Sequence, residues 1–113
     1  MLKIKILIVD DEDDYCMIMK NYFQEKNYEV FLACTLQEGL KMIEKISPDI
    51  LILDNNLPDG QSWKHVEMIA EKNPLLKIYL ISAYRQKPDS FNSSNITIWE
   101  KPISLSSLET VCK

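Results

Sequence analysis

The chain has 113 residues, a formal net charge of −4 and a sequence pI near 5.0. It is long enough for one domain with its own core, and it lacks a basic footprint for direct nucleic-acid contact or for an anionic membrane surface. At 46% hydrophobic and 27% charged it has the composition of a folded chain, and three cysteines without a C-x-x-C pair, with one histidine, argue against a disulfide framework or a structural zinc site.

The apolar run from Ile4 to Val9 is β-branched, bounded by acids, and reads as a buried strand. It is too short for a secretion signal, and no stretch approaches the roughly 20 apolar residues of a membrane helix, so a cytoplasmic location is expected. Tyr15, Ile18, Met19, Tyr22 and Phe23 then recur with a helical period. Glu12, Asp13 and Asp14 precede them, where acids favour the positive end of the helix dipole. Tyr28 to Ala33 reads as the second strand, and Thr35 is placed to cap a helix whose inner face is Leu36, Leu40 and Ile43.

Pro48 stops that helix, and Asp49 to Asp54 is a third strand, apolar on both faces. Leu57-Pro58-Asp59-Gly60 is turn chemistry. Trp63, Val66, Ile69 and Ala70 mark a third helix, with Trp63 expected in its core and His65 on its surface. Lys77 to Ser82 and Ile96 to Glu100 are the last two strands, and Ser104 caps a short final helix carrying Leu105, Leu108 and Val111. Between those strands, Arg85 to Asn95 has little helical periodicity, so the fourth helix is expected to be short or irregular. The strand–helix alternation implies βαβ units, hence an α/β fold with a five-stranded, doubly wound parallel sheet.

In such sheets ligands bind beyond the carboxyl ends of the strands. There the first strand ends in Asp10 and Asp11, the third in Asp54, the fourth in Ser82 and the fifth in Glu100-Lys101-Pro102. Three converging carboxylates repel one another unless a cation joins them. A hard divalent ion with oxygen ligands meets that need, and Mg²⁺ binds through one or two carboxylates and phosphate oxygens. A carboxylate oxygen can also attack phosphorus to give an acyl phosphate.

These motifs stand in order along nearly the whole chain: Ile6-Leu7-Ile8-Val9-Asp10-Asp11-Glu12, Pro48-Asp49-Ile50-Leu51-Ile52-Leu53-Asp54 followed by Leu57-Pro58-Asp59-Gly60, Ile81-Ser82-Ala83, and Lys101-Pro102. Together they resemble the receiver domains of bacterial two-component response regulators. The resemblance implies a flavodoxin-like sheet of strand order 2-1-3-4-5. It also implies a phosphorylation switch in which Asp54 accepts a phosphoryl group from a sensor histidine kinase or a phosphotransfer protein. Asp10, Asp11, Asp54 and the main-chain carbonyl of Asn56 would hold Mg²⁺, with Asp10 acting largely through water. Ser82, with Ala83 beside it, and Lys101 would bind the phosphoryl group, and the Lys101–Pro102 bond would be cis.

Such a domain is not an enzyme toward outside substrates; it promotes only its own phosphorylation and dephosphorylation. Residues 1–113 are expected to form one receiver domain, either standing alone or as a piece of a longer regulator, with an effector domain or a downstream protein taking the output. The chain departs from the family pattern in carrying Ile98 three residues before the lysine, where an aromatic is usual. Trp99 is adjacent, but strand alternation points it to the other face. This departure, together with a segment from Ser82 to Lys101 shorter than is usual in the family, motivates an alternative: a receiver used as a phosphorylation-independent interaction module.

Overall fold

Continuous apolar runs with no polar face can be satisfied only by cover on both sides, and that is how the strands lie. The computed structural model describes residues 3–82 and 95–112. Strands β1 (Lys5–Val9), β2 (Glu29–Ala33), β3 (Ile50–Asp54), β4 (Lys77–Ser82) and β5 (Ile96–Glu100) form one parallel sheet. Their order across it is β2-β1-β3-β4-β5, as expected. The described helices are α1 (Asp13–Glu25), α2 (Leu36–Ile46), α3 (Trp63–Lys72) and a C-terminal helix at Leu105–Val111. No described helix is long and apolar enough to cross a membrane. The expected irregular segment from Arg85 falls outside the described residues as far as position 94.

Alternation along the strands divides the core in two. Leu7, Val9, Leu51, Leu53, Ile78 and Leu80 face α2 and α3. Ile6, Ile8, Ile50, Ile52 and Ile81 face the side covered by Met19 and Phe23 of α1 and by Leu108 and Val111 of the C-terminal helix. Burying one such side chain is worth about 1.5–3 kcal/mol before chain entropy is counted. Ile98 packs with the first cluster, while Trp99 joins the second and lies against Tyr79 with ring centroids 4.6 Å apart.

Two expectations need correcting. The buried stripe of α1 is Cys16, Met19 and Phe23, and Ile18 is 57% exposed. The helix is rotated so that the small Cys16 thiol fits under the β1 end, where Sγ donates to the Asp10 carbonyl at 3.2 Å. Trp63 is not core either. At the first position of α3 it is 37% exposed, and its Nε1 donates to Gln61 Oε1 at 3.3 Å.

Register sets the site. Val9 pairs with Leu53 and Asp54 with Ile81, while Ser82 pairs with Glu100, so the carboxyl ends of β1, β3, β4 and β5 finish level. Gly39 lets α2 lie close on β1, because a Cβ there would meet Val9 Cγ2 at 2.9 Å.

Candidate functional site

Asp10 and Asp54 continue the even-numbered positions of β1 and β3, so both point to the α1 side of the sheet, one step past isoleucines that are fully buried. Both remain buried themselves, whereas Asp11 is exposed. One carboxylate oxygen from each of Asp10, Asp11 and Asp54 lies within 4.8 Å of the others.

The backbone fixes one oxygen of each buried acid. The Glu12 N–H donates to Asp10 Oδ1 at 2.9 Å, and the Asn56 N–H donates to Asp54 Oδ1 at 3.2 Å. The main chain of Asp54 is anchored as well: the buried Ser62 hydroxyl donates to its carbonyl at 2.6 Å, and Asn55 Oδ1 accepts from the Trp63 N–H at 3.0 Å. Start of α3 and end of β3 are thereby tied together. Asn56 itself is exposed and opens a two-residue ladder, Asn56–Leu57 with Gly60–Gln61, around the expected turn.

Lys101 enters from the end of β5, its N–H donating to the Ser82 carbonyl at 2.9 Å. Its Nζ lies 3.4 Å from Asp54 Oδ2 and 3.9 Å from Asp10 Oδ2. The Lys101–Pro102 peptide is cis. Ser82 is buried at the end of β4, and Ala83 lies outside the described residues. Glu12 was read from sequence as a helix-start charge, yet its Oε1 is 3.1 Å from Lys101 Nζ. No local signal reports a pair 89 positions apart.

One ammonium faces several acids here, and burial is the main cause of the upward shifts of the two buried aspartates. Burial pushes Asp10 up to about 6, aided by the neighbouring Asp54 charge and opposed by the Glu12 N–H and Lys101. Burial also raises Asp54, against the pull of the Asn56 N–H and Lys101. For Lys101 burial acts downward, but Asp54, Glu12 and Asp10 outweigh it and hold the ammonium above its ordinary value. Cys16 is pushed up to about 11, first by burial and then by the Asp10 charge, and so remains a protonated thiol.

Asp10 Oδ2 is buried with no hydrogen-bond partner. Leaving such an oxygen unsatisfied is costly, and a hard cation shared with Asp11 and Asp54 would satisfy it. The donor set is all oxygen and anionic, which suits Mg²⁺.

The family model for the response regulator receiver domain matches residues 6–112. This chain belongs to that family. The receiver is 38% identical over 69 residues to the regulatory protein VanR of Enterococcus faecium, a match that covers 61% of this chain and 30% of VanR. It is 26% identical over 119 residues to sporulation initiation phosphotransferase F of Bacillus subtilis, covering all of this chain and 94% of that protein. It thus spans less than a third of one relative and nearly the whole of another. Among solved structures, a two-component response regulator from Clostridium difficile superposes with a TM-score of 0.85 at 25% identity, covering 98% of this chain and 93% of the other. Receiver domains are signalling switches of two-component and phosphorelay systems, and they bind Mg²⁺ at an acidic pocket.

Proposed function

We propose that this receiver is a Mg²⁺-dependent phosphorylation switch whose acceptor is Asp54, charged by a sensor histidine kinase or a phosphotransfer protein in the cytoplasm. The observation that carries the reading is the position of Asp54: buried at the end of β3, within 4.8 Å of Asp10 and Asp11, and facing Lys101 at 3.4 Å. An Asp54 oxygen would form the new P–O bond as the P–N bond of a phosphohistidine breaks, the imidazole nitrogen keeping the electron pair. Hydrolysis would later return the carboxylate, with water supplying the oxygen that leaves with phosphorus.

The transferred group brings about −1.5 to −2 charges into a site already rich in acid. Lys101 and the Ser82 hydroxyl, with Ala83 following in sequence, are assigned the side of the phosphoryl group away from the metal. Asp10, Asp11, Asp54 and the Asn56 carbonyl would hold Mg²⁺, which when bound neutralises charge on the phosphoryl oxygens. The backbone bonds to Asp10 and Asp54 keep both carboxylates oriented, and positioning with charge compensation is most of what phosphoryl transfer asks of a protein. Residues 1–113 would act as one receiver module, with an effector domain or a separate protein reading the phosphorylated state.

Incubation with radiolabelled acetyl phosphate and Mg²⁺ should place one label per wild-type chain and none on Asp54→Asn. An unlabelled wild type sinks the proposal. A second reading, a phosphorylation-independent interaction module, draws on Ile98, which packs among the α2 and α3 side chains where the family carries an aromatic. It predicts partner binding indifferent to Asp54→Asn.

A further inference from the structure

Lys101 has more acid around it than one ammonium can neutralise, and its nearest anion is not the phospho-acceptor. Glu12 Oε1 lies 3.1 Å from Nζ, against 3.4 Å for Asp54 and 3.9 Å for Asp10. The Tyr15 ring lies beside the same ammonium, its centroid 5.0 Å away. Both come from the start of α1.

The Glu12 side chain is also not spent on its own helix. It is the residue that caps α1, yet its side chain makes no capping hydrogen bond: its carbonyl accepts from the Cys16 N–H at 3.1 Å and its N–H donates to Asp10, so the carboxylate alone is left for another role. Favourable charge at a helix start accounts for Asp13 and Asp14, which sit in the first turn. It does not account for a carboxylate directed at a lysine that enters from the end of β5.

We infer that Glu12, backed by Tyr15, is a positioning residue that holds Lys101 in the resting receiver and gives it up when a phosphoryl group arrives on Asp54. This rests on the phospho-acceptor reading above. An ammonium has three N–H donors, and the resting protein shares them among carboxylates. A phosphoryl group offers three strong acceptor oxygens and a larger charge at the buried end of the same side chain. The Glu12 side chain is 52% exposed, so solvent screens its bridge and a buried phosphoryl group can outcompete it for the lysine. Glu12 therefore sets a small, fixed handicap against phosphoryl binding.

The test uses the full chain, with wild type, Glu12→Gln and Glu12→Asp. The first readout is the Lys101 Cε–Hε resonance in metal-free buffer, and the second is beryllofluoride affinity in Mg²⁺. In Glu12→Gln the resting Lys101 resonance should move, and beryllofluoride should bind about three-fold more tightly, the scale of an exposed ion pair. Glu12→Asp keeps the charge but shortens the reach by one methylene, and should follow Glu12→Gln in both readouts. If Glu12→Gln matches wild type in both, the inference is wrong. If Glu12→Asp stays with wild type while Glu12→Gln departs, charge alone is responsible and the holding contact is refuted. A wild type that takes up no beryllofluoride defeats the phospho-acceptor reading and the release step together, while the resting resonance still judges the contact.

Discussion

The first two helices begin on opposite terms. At the start of α2, three backbone N–H groups find side-chain acceptors: Leu36 and Gln37 donate to the two Asp59 oxygens at 2.8 and 2.9 Å, and Glu38 donates to Thr35 Oγ1 at 3.1 Å. At the start of α1 the capping residue Glu12 gives its own helix only a backbone carbonyl, and its side chain reaches Lys101 instead of a helix N–H. Beside it, Asp10 keeps a buried oxygen without a hydrogen-bond partner. One helix start is built for the fold, and the other gives up local satisfaction to keep an acidic pocket in place. Unsatisfied polar groups collect where a ligand can answer them.

The largest expected effect lies on the α1 side. In metal-free buffer the folded chain favours the protonated Asp10 carboxyl, so this group's contribution is complete below pH 3.8, declines as the pH rises to about 6, and changes little beyond. That span corresponds to about 3 kcal/mol. Asp10→Asn should therefore stabilise the metal-free protein by up to about 3 kcal/mol near pH 7.5, and by almost nothing near pH 4. Urea midpoints at the two pH values check this. A gain of equal size at both would show that ionisation of Asp10 is not the cost. Mg²⁺ should raise the wild-type midpoint and leave the variant's nearly unchanged.

On the α2 side the same kind of change should damage the fold. Gly39→Ala adds a methyl that would meet Val9 Cγ2 at 2.9 Å and Cγ1 at 3.0 Å, and Val9 is a fully buried, stiff side chain. Overpacking toward the upper end of about 1–3 kcal/mol, less about 1 recovered in helix propensity, predicts a net loss of up to roughly 2 kcal/mol. A neutral or stabilising result would mean that α2 can shift on β1, and would weaken the contrast.

Much of this molecule was legible in the sequence, and the reasons are local. Unbroken apolar strands can exist only in a sheet covered on both faces, so β1 and β3 announced a parallel arrangement. Their terminal acids then fell together once register was fixed. Thr35 was readable as a cap because capping is a short-range relation. The burial of α1 was not, because Tyr15, Ile18, Met19, Tyr22 and Phe23 describe one plausible stripe while Cys16, Met19 and Phe23 describe another. The folded chain buries the second, with Cys16 Sγ bonded to the Asp10 carbonyl at the β1 end. Asp59 serving α2, and Glu12 serving Lys101, are long-range pairings that helical and strand periods do not encode.

A smaller effect follows for the α2 cap. Thr35→Ala should cost about 1 kcal/mol, the usual value of such a residue. The two α2 N–H groups hold Asp59 below the ordinary carboxylate range, so the stability it provides is present above pH 3.8 and is lost as the pH falls through its folded value. Asp59→Ala should therefore lower the urea midpoint at neutral pH and matter progressively less in acid. An effect that persists undiminished under acid conditions would assign Asp59 a role other than accepting those bonds.

The smallest expected effect is the most discriminating. Glu12→Ala removes a capping residue whose side chain caps nothing and an ion pair that is half in solvent, so stability should change by no more than about 0.5 kcal/mol. Thr35→Ala, made at the equivalent place on α2, should cost about twice that or more. Comparing the two in one chemical denaturation series separates a residue kept for the fold from one free to serve the site. If Glu12→Ala proves as costly as Thr35→Ala, the α1 start depends on its Lys101 bridge for folding, and the two helix starts differ in geometry alone rather than in purpose.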